Sequence, residues 1–358
     1  MAITPRMTTT CAFTIGLGVT LNLLFGCSSR PSSWIADDLL AALQTADDLE
    51  RARRFDEARE KLAAITANVD GELADTVSLR LCAMWTLEGK KEEGRRCYNG
   101  SVAALATDEA RALAAHRAAV IALDQDDRKA ARAELLAVIE SWPYTDAAGG
   151  SMRTLSAMRR EEAGPTAEAD TLLGLASSVA ERTASDAGVL DLYLEALLGA
   201  GRIRFVHGSI REAAQILGHA HSVSAKSRWN DDIAIWRARA LGALGRPHDA
   251  LEIYESIIDD RESSWFVGSY ESAHFDDALF EKAETLLALR APDAARTAYL
   301  EVLKRAPASR LVDDAAFAVA QLAAEEGDTQ PARQFIVTYR ESRHIPAARE
   351  LLKREREQ

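Results

Sequence analysis

Aromatic side chains are scarce in this sequence: 9 Phe, 7 Tyr and 6 Trp make up 6% of its 358 residues, although 47% of the residues are hydrophobic. A core with so few rings has to be built largely from aliphatic side chains and from alanine, which lets helices approach one another closely. Long alternation of polar and apolar residues, the pattern of a half-buried strand, is also missing. These two absences exclude a large β-sheet and predict an all-α body from about Asp37 onward.

An excess of positive charge is missing too. The sequence has 43 Lys and Arg against 55 Asp and Glu, and its formal net charge is -12 at pH 7. No basic stripe interrupts this composition, and an acidic surface repels phosphates, which excludes a nucleic-acid partner. Motifs of enzymes and metal sites are equally absent: there is no HExxH pair, no GxSxG elbow and no glycine-rich phosphate loop. We therefore predict no catalytic residue, no cofactor and no metal ion.

One pattern recurs eight times: a small residue is followed four positions later by a large one, and preceded five positions earlier by a turn residue. In the clearest copy, Gly245 ends one helix, Pro247 begins the next, and Ala250 and Tyr254 are the small and large members. The small members are Ala58, Gly94, Ala131, Ala169, Ala213, Ala250, Ala295 and Ala332. The large members are Leu62, Tyr98, Leu135, Leu173, Leu217, Tyr254, Tyr299 and Ile336. The turn residues are Arg53, Gly89, Asp126, Gly164, Gly208, Gly245, Arg290 and Gly327. The pattern predicts about eight helical hairpins in which the small residue lets two helices touch and the large residue packs against the neighbouring hairpin.

The small-then-large pair resembles the second-helix signature of a tetratricopeptide repeat. Pro143 and Pro307 stand just past a second helix, and Thr145 and Ser309, two residues later, can cap the next helix. This style of repeat is similar to that of periplasmic tetratricopeptide lipoproteins, namely the BamD-type subunit of the barrel-assembly machine and the division coordinator associated with the Tol-Pal system. The resemblance implies a right-handed superhelical solenoid over residues 37–358, in which each hairpin is stabilised by its neighbours.

The N-terminal segment has the make-up of a bacterial export signal. Arg6 is the only basic residue before Cys27, and residues 12–24 form an uncharged run that is too short to span a bilayer comfortably. The run ends in Leu24-Phe25-Gly26-Cys27-Ser28-Ser29, which resembles the lipobox of bacterial lipoproteins. The alternatives are a cleaved secretory signal and an uncleaved anchor.

The lipobox resemblance implies a signal peptide over residues 1–26, acyl chains on Cys27, and a short tether over residues 27–36. Several acyl chains on one residue hold a protein durably on a membrane. Because no Asp follows the cysteine, the resemblance also implies sorting to the outer membrane, with the protein facing the periplasm.

Two further cysteines lie in the predicted mature chain. Cys82 and Cys97 are placed symmetrically about a turn near Gly89, which puts them at similar heights on two antiparallel helices. A disulfide between them is compatible with an oxidising periplasm. The alternative is a pair of free cysteines that fill the core.

The spacing between Ala250 and Ala295 leaves room for an inserted segment at residues 261–275. Trp265, Phe266 and Tyr270 in this segment are candidates for a partner-binding loop, since aromatic side chains often anchor interfaces. The alternative is that these rings pack back against the helices.

The first helices of the hairpins are expected to line a groove that holds a peptide or a partner helix. By repeat register, its lining consists of His116, Asp232, Ile235, Arg239, Asp277, Phe280, Glu284, Asp314, Phe317 and Gln321. The alternative is that these are ordinary solvated positions.

Together, these features predict a lipid-anchored, non-catalytic protein-interaction scaffold in a bacterial envelope complex that serves outer-membrane biogenesis, the cell envelope or secretion. Its partners would be envelope proteins, and it would meet the membrane only through its lipid. The alternative is an envelope enzyme or a peptidoglycan- or glycan-binding accessory protein.

Overall fold

The computed structural model describes residues 33–66, 69–225, 227–259, 261–264 and 268–357. The predicted signal peptide and the lipidated Cys27 lie outside the described residues. The chain divides into two compact units, Met1–Val69 and Asp70–Gln358. Within the described residues, none of the helices combines the length and the apolar character that crossing a membrane requires.

The first unit contains one helical hairpin, formed by α1 (Ser33–Arg51) and α2 (Phe55–Thr66). Because α1 begins at Ser33, residues 33–36 of the predicted short tether are helical and belong to the hairpin.

The second unit is a succession of helices, each of which packs against the next one in the chain. They are α3 (Gly71–Leu87), α4 (Lys91–Ser101), α5 (Asp108–Asp124), α6 (Arg128–Ser141), α7 (Asp146–Val179), α8 (Ala187–Val206), α9 (Ile210–Val223), α10 (Asn230–Ala243), α11 (Pro247–Asp259), α12 (Phe275–Ala288), α13 (Pro292–Arg305), α14 (Val312–Glu325), α15 (Gln330–Thr338) and α16 (Ile345–Glu357). A short 3-10 turn, Ala180–Arg182, follows α7.

Helix α7 consists of two helices that meet at Gly164, whose φ is 84°. With α7 counted as a hairpin of its own, the described residues contain eight hairpins and a final single helix, α16. The prediction of an all-α repeat solenoid is confirmed, and the packing of each helix on its neighbour in the chain is the reason that the stack holds together.

All eight predicted turn residues have a positive φ. The five glycines adopt values of 74° to 89° without steric cost. Arg53, Asp126 and Arg290 adopt the same left-handed region at 57°, 64° and 60°, where a side chain costs about 1–2 kcal/mol. The tight turn between the two helices therefore requires this conformation whether or not a glycine supplies it.

The small members of the repeat pattern are all buried: the seven alanines are 0% exposed, and Gly94 is buried as well. Among the large members, Leu173 and Ile336 differ from the prediction because they are only half-buried. The preceding residues, Leu172 and Phe335, fill the core there with 5% and 2% exposure. Residues three and four positions along a helix share a face, so either one can fill the space next to the small residue.

The inserted segment forms a short antiparallel hairpin of β1 (Arg261–Ser264) and β2 (Gly268–Glu271), in which Glu262 lies opposite Tyr270. The sequence did not predict these strands, since four residues are too few for an alternating pattern to stand out. Trp265 and Phe266 lie outside the described residues.

Cys82 on α3 and Cys97 on α4 form a disulfide, with their Cα atoms 5.2 Å apart. The close approach of the two helices makes this distance bridgeable. Free cysteines, the alternative that the sequence left open, are not what the structure contains.

Candidate partner-binding groove

Several first helices of successive hairpins stand closer together than the second helices do. Contacts join α3 to α5, α5 to α7, α8 to α10 and α14 to α16. In the part of the chain that is described, comparable contacts are missing from the second-helix pairs α9–α11, α11–α13 and α13–α15, and from the first-helix pairs α10–α12 and α12–α14. In a stack of hairpins, the helices that stand closer together form the inner face. The first helices therefore line the groove of the second unit.

Two of the predicted groove residues do not face a groove. Ile235 is 0% exposed and belongs to the same core cluster as Leu279 of the next first helix. Phe317 is 7% exposed and stacks on the ring of His344, with 4.5 Å between the ring centroids. The prediction is wrong for both residues, because side chains of the following repeat cover each of them.

The predicted groove aspartates are engaged by the protein itself. Each stands at the same register on a first helix. Each forms an ion pair or a hydrogen bond with a side chain that lies just before the next first helix. The pairs are Asp232 Oδ1 with His274 Nε2 at 3.0 Å, Asp277 Oδ1 with Arg310 Nη2 at 3.2 Å, and Asp314 Oδ1 with Arg343 Nη2 at 2.7 Å. These carboxylates tie neighbouring repeats together. Those of Asp277 and Asp314 are largely covered, at 16% and 17% exposure, whereas the Asp232 side chain is 37% exposed.

Arg239, another predicted groove residue, is also engaged by side chains of the protein itself. Its Nε donates to both carboxylate oxygens of Glu281, at 2.9 and 3.0 Å, and the Tyr254 hydroxyl donates to Oε2 of the same carboxylate at 3.0 Å. Burial, together with the negative charge of Glu281, raises the pKa of Tyr254, so the phenol remains a proton donor. Tyr254 thus has a polar role in addition to the packing role that the sequence predicted.

Phe280 and Glu284 both contact the large member of their own repeat. The ring of half-buried Phe280 packs edge-on against Tyr299, with centroids 5.4 Å apart. The Tyr299 hydroxyl donates to Oε1 of Glu284, and burial followed by this hydrogen bond raises the pKa of Tyr299. Glu284 remains exposed to solvent despite this bond.

His116 is fixed at a close contact between two first helices. Its Nδ1 lies 2.9 Å from the Oγ of Ser151, and a Cβ added to Gly150 would lie 3.3 Å from its ring. Burial, and then the charges of Arg117 and Arg153, lower the pKa of His116, so the imidazole is neutral at neutral pH. Ser151 is 0% exposed, and a substrate therefore cannot reach its hydroxyl.

The structure adds two groove residues that the sequence prediction missed. The Trp236 ring lies between two guanidinium groups, with Arg202 Cζ at 4.9 Å and Arg239 Cζ at 4.6 Å from its centroid. Arg202 is exposed and stands eleven residues before Ala213, the same offset as Arg239, Glu284 and Gln321 from their own alanines. That offset could have identified Arg202; for Trp236 the sequence contains no comparable signal.

The other polar clusters of the described residues are small. A cavity of about 130 Å³ lies between α9, α10 and α11. It is lined by three apolar residues and by five polar or charged ones, namely His221, Asn230, Asp231, Glu252 and Ser256. Among the described residues, no group of three or more His, Cys, Asp or Glu side chains could hold a metal ion.

A sequence profile described as tetratricopeptide repeat matches residues 277–309, which span α12 and α13. No curated protein matches the chain. The chain is similar in structure to a signal-transduction ATPase of the STAND class with a tetratricopeptide repeat sensor from Pyrococcus horikoshii, at 12% identity and a TM-score of 0.50, over 90% of this chain and 50% of that one.

Two other solved structures are similar to this chain. One is the C-terminal part of a TPR repeat-containing protein from Cytophaga hutchinsonii, at 13% identity and a TM-score of 0.43, over 76% of this chain and 98% of that one. The other is a tetratricopeptide repeat protein from Parabacteroides merdae, at 12% identity and a TM-score of 0.33, over 75% of this chain and 93% of that one.

Proposed function

We propose that this protein is a non-catalytic scaffold that holds a segment of a partner protein in the groove of its first helices. The single observation that carries the proposal is the row of side chains at one register of the inner face. Arg202, Glu284 and Gln321 are exposed there, and the half-buried Trp236 lies beside Arg202. A groove with one aromatic ring and mixed polar groups suits an extended peptide or an amphipathic helix.

The ion pairs between repeats support this function. Asp277 and Glu281 on α12 are bonded to Arg310 and Arg239 of neighbouring segments, which joins consecutive repeats through side chains as well as through the core. A groove that is already ordered loses little conformational freedom when a partner binds, and more of the contact energy then contributes to affinity.

The groove chemistry favours a scaffold over the alternative enzyme. The hydroxyl of Ser151 is bonded to the groove histidine His116, and Ser151 is fully buried. The groove carboxylates Asp232 and Asp314 are engaged by His274 and Arg343, so they are not poised as a free acid and base.

We further propose that the protein is anchored by lipid on Cys27 to the outer membrane and faces the periplasm. Two observations support this placement. The sequence Leu24-Phe25-Gly26-Cys27 resembles a lipobox, and the Cys82–Cys97 disulfide fits an oxidising compartment. Its partners would then be envelope proteins, as for the periplasmic tetratricopeptide lipoproteins whose repeat style it resembles.

A photo-crosslinking residue at Gln321, and separately at Arg202, tests the scaffold in intact cells. The matched control carries the same residue at Thr297, which is exposed on the second helix α13. We expect discrete protein adducts from Gln321 and Arg202 and none from Thr297. Equal labelling at all three positions would contradict binding in the groove, and so would peptidoglycan retention or saccharide release by the purified protein without any protein adduct.

The anchor is tested by the substitution Cys27→Ala and by incorporation of a labelled fatty acid. Wild-type protein is expected to carry the label and to sediment with the outer membrane, whereas the variant carries no label. Unchanged labelling or unchanged membrane retention of the variant would rule out this anchor and leave the groove proposal intact.

A further inference from the structure

Helix α4 has less apolar side-chain area to bury than the other long second helices. Five of its eleven residues are charged, and only Gly94 and Tyr98 are buried. In α6, by comparison, Ala131, Leu135, Val138 and Ile139 are buried. Glycine within a helix also lowers its intrinsic stability. Hydrophobic packing alone therefore holds α4 weakly.

The disulfide joins α4 to α3 at a close approach of the two helices. Cys82 is 1% exposed and lies on α3, whereas Cys97 is half-buried on α4. One turn away, a Cβ added to Gly94 would lie 2.6 Å from Thr86 Oγ1, which shows how closely the two helices approach. The disulfide and the close approach of Gly94 to Thr86 both lie in the interface between α3 and α4.

The polar contacts of α4 do not replace the disulfide. Arg95 donates to Glu134 at 2.7 Å, and Lys91 lies 3.3 Å from Asp124. The side chains of Lys91 and Asp124 are 43% and 53% exposed, and those of Arg95 and Glu134 are 20% and 30% exposed. Water screens the exposed Lys91–Asp124 pair, which therefore contributes little to stability. The Arg95–Glu134 pair is better covered, but it joins α4 to α6 and Lys91–Asp124 joins α4 to α5, so neither pair holds α4 to α3.

Helix α4 also covers the next repeat. Tyr98, which is 2% exposed, belongs to one apolar cluster with Ala114, Ala118 and Ile121 of α5. If α4 left its place, these side chains would meet water. The second repeat thus covers the apolar end of the stack that begins at α5.

We propose that the Cys82–Cys97 disulfide is a redox-controlled latch on the second repeat, and that its reduction releases α4 while the repeats from α5 onward remain folded. A dithiol reductant breaks the Sγ–Sγ bond: its two thiols become one disulfide, and the two electrons and two protons that they release convert Cys82 and Cys97 to thiols. A disulfide oxidant reverses the exchange and is itself reduced to a dithiol. The latch depends only on the redox state of the compartment and is independent of the proposed groove.

Both the size and the local character of the effect follow from general principles. The two cysteines are 15 residues apart, and a cross-link that closes a loop of this length favours the closed form by about 100-fold. Each hairpin of a solenoid contacts only its neighbours, so opening of the first hairpin of the second unit need not spread along that unit. Such a hairpin opens as a local unit.

Hydrogen exchange of the full chain, read by mass spectrometry before and after treatment with dithiothreitol, tests the latch. We expect the exchange of peptides from α4 to rise by about 100-fold on reduction. Peptides from α12 and α13 are expected to keep their protection. Alkylation of Cys82 and Cys97 verifies that the bond has been reduced.

Two variants serve as controls. In the double variant C82A/C97A, α4 is expected to exchange rapidly with and without dithiothreitol. Glu134→Gln removes the carboxylate that pairs with Arg95 and keeps the disulfide, and it is expected to raise exchange in α4 by less than about 5-fold. Should the double variant fail to fold, the reduction of folded wild-type protein still provides the test.

Two results would overturn the proposal. One is unchanged protection of α4 after both thiols have been alkylated, which would mean that the disulfide is dispensable. The other is an equal loss of protection in α4, α12 and α13, which would mean that reduction unfolds the whole stack and that no local latch exists.

Discussion

The Ser309 hydroxyl donates a hydrogen bond of 2.6 Å to Oδ2 of Asp276, and its own oxygen, Ser309 Oγ, accepts the N–H of Leu311 at 3.0 Å. Ser309 thus lies in the turn just before the first helix α14 and binds the start of the preceding first helix, α12. The arrangement recurs along the chain: the other pairs are Thr107 with Asp75 at 2.8 Å, Ser227 with Asp191 at 2.6 Å, and Ser342 with Asp313 at 2.7 Å. These bonds set the distance between consecutive first helices.

Removal of one of these bonds should destabilise the stack. Ser309→Ala leaves the Asp276 carboxylate without its hydroxyl donor, and hydrogen bonds to charged groups contribute about 1.5–3 kcal/mol. We expect the free energy of unfolding, measured by urea titration, to fall by about 1.5 kcal/mol or more. Thr297→Ala, which removes an exposed hydroxyl bonded only to the carbonyl of Asp293 in its own helix, is the control, and an equal loss there would contradict the assignment.

The small residue of the repeat should not tolerate enlargement. Ala295→Leu places three additional carbons at a position that is 0% exposed, and overpacking of this kind costs about 1–3 kcal/mol. The neighbouring Ala294 is exposed on the same helix, so Ala294→Leu is expected to change the stability by less than about 0.5 kcal/mol. Thermal unfolding of the two variants checks the difference, and similar melting temperatures would refute the role of the alanine.

His274 should stabilise the fold at acidic pH. Its hydrogen bond to Asp232 raises its pKa above the ordinary value of 6.5, against the effect of burial. The stabilisation is complete below about pH 6.5 and is lost as the pH rises through the folded-state pKa. We expect His274→Gln to lower the free energy of unfolding at pH 6 more than at pH 9. His248→Gln, at an exposed histidine, is measured alongside as the control. An equal loss for His274→Gln at pH 6 and pH 9 would contradict the prediction.

The contribution of His116 to the free energy of unfolding should depend on pH in the opposite sense to that of His274. Burial lowers its pKa from 6.5, so the unfolded chain binds the proton more readily than the folded one. Its contribution to the free energy of unfolding is complete above about pH 6.5 and decreases as the pH falls through that value. Urea titrations from pH 7.5 to pH 5 should show a steeper loss for the wild type than for His116→Gln, and parallel curves would contradict the prediction.

The turns and the touching points of the hairpins were predictable because they depend on local chemistry. A left-handed turn favours glycine, as at Gly245, and a close helix contact favours a small residue such as Ala250. The same chemistry explains the exceptions: Arg290 takes the φ of a glycine since the turn geometry is shared. Leu172 replaces Leu173 in the core because neighbouring positions on a helix face can exchange roles.

The groove was less predictable, because the exposure of a side chain depends on what the next hairpin places above it. Ile235 and Phe280 share one register, yet Ile235 is 0% exposed and Phe280 is half-buried. The pairing of Asp232 with His274 spans 42 residues and crosses the inserted hairpin. No local pattern in the sequence connects two residues so far apart.

By itself, the sequence determined the helical class of this protein, the number of its hairpins and the positions of their turns. Each of these depends on the size and backbone freedom of residues within one turn of each other. Only the tertiary structure decided which groove residues are covered, which charges are neutralised, and that Cys82 and Cys97 meet. Those outcomes depend on the angle and distance at which separate helices pack, and packing is settled by the sum of many contacts along the stack.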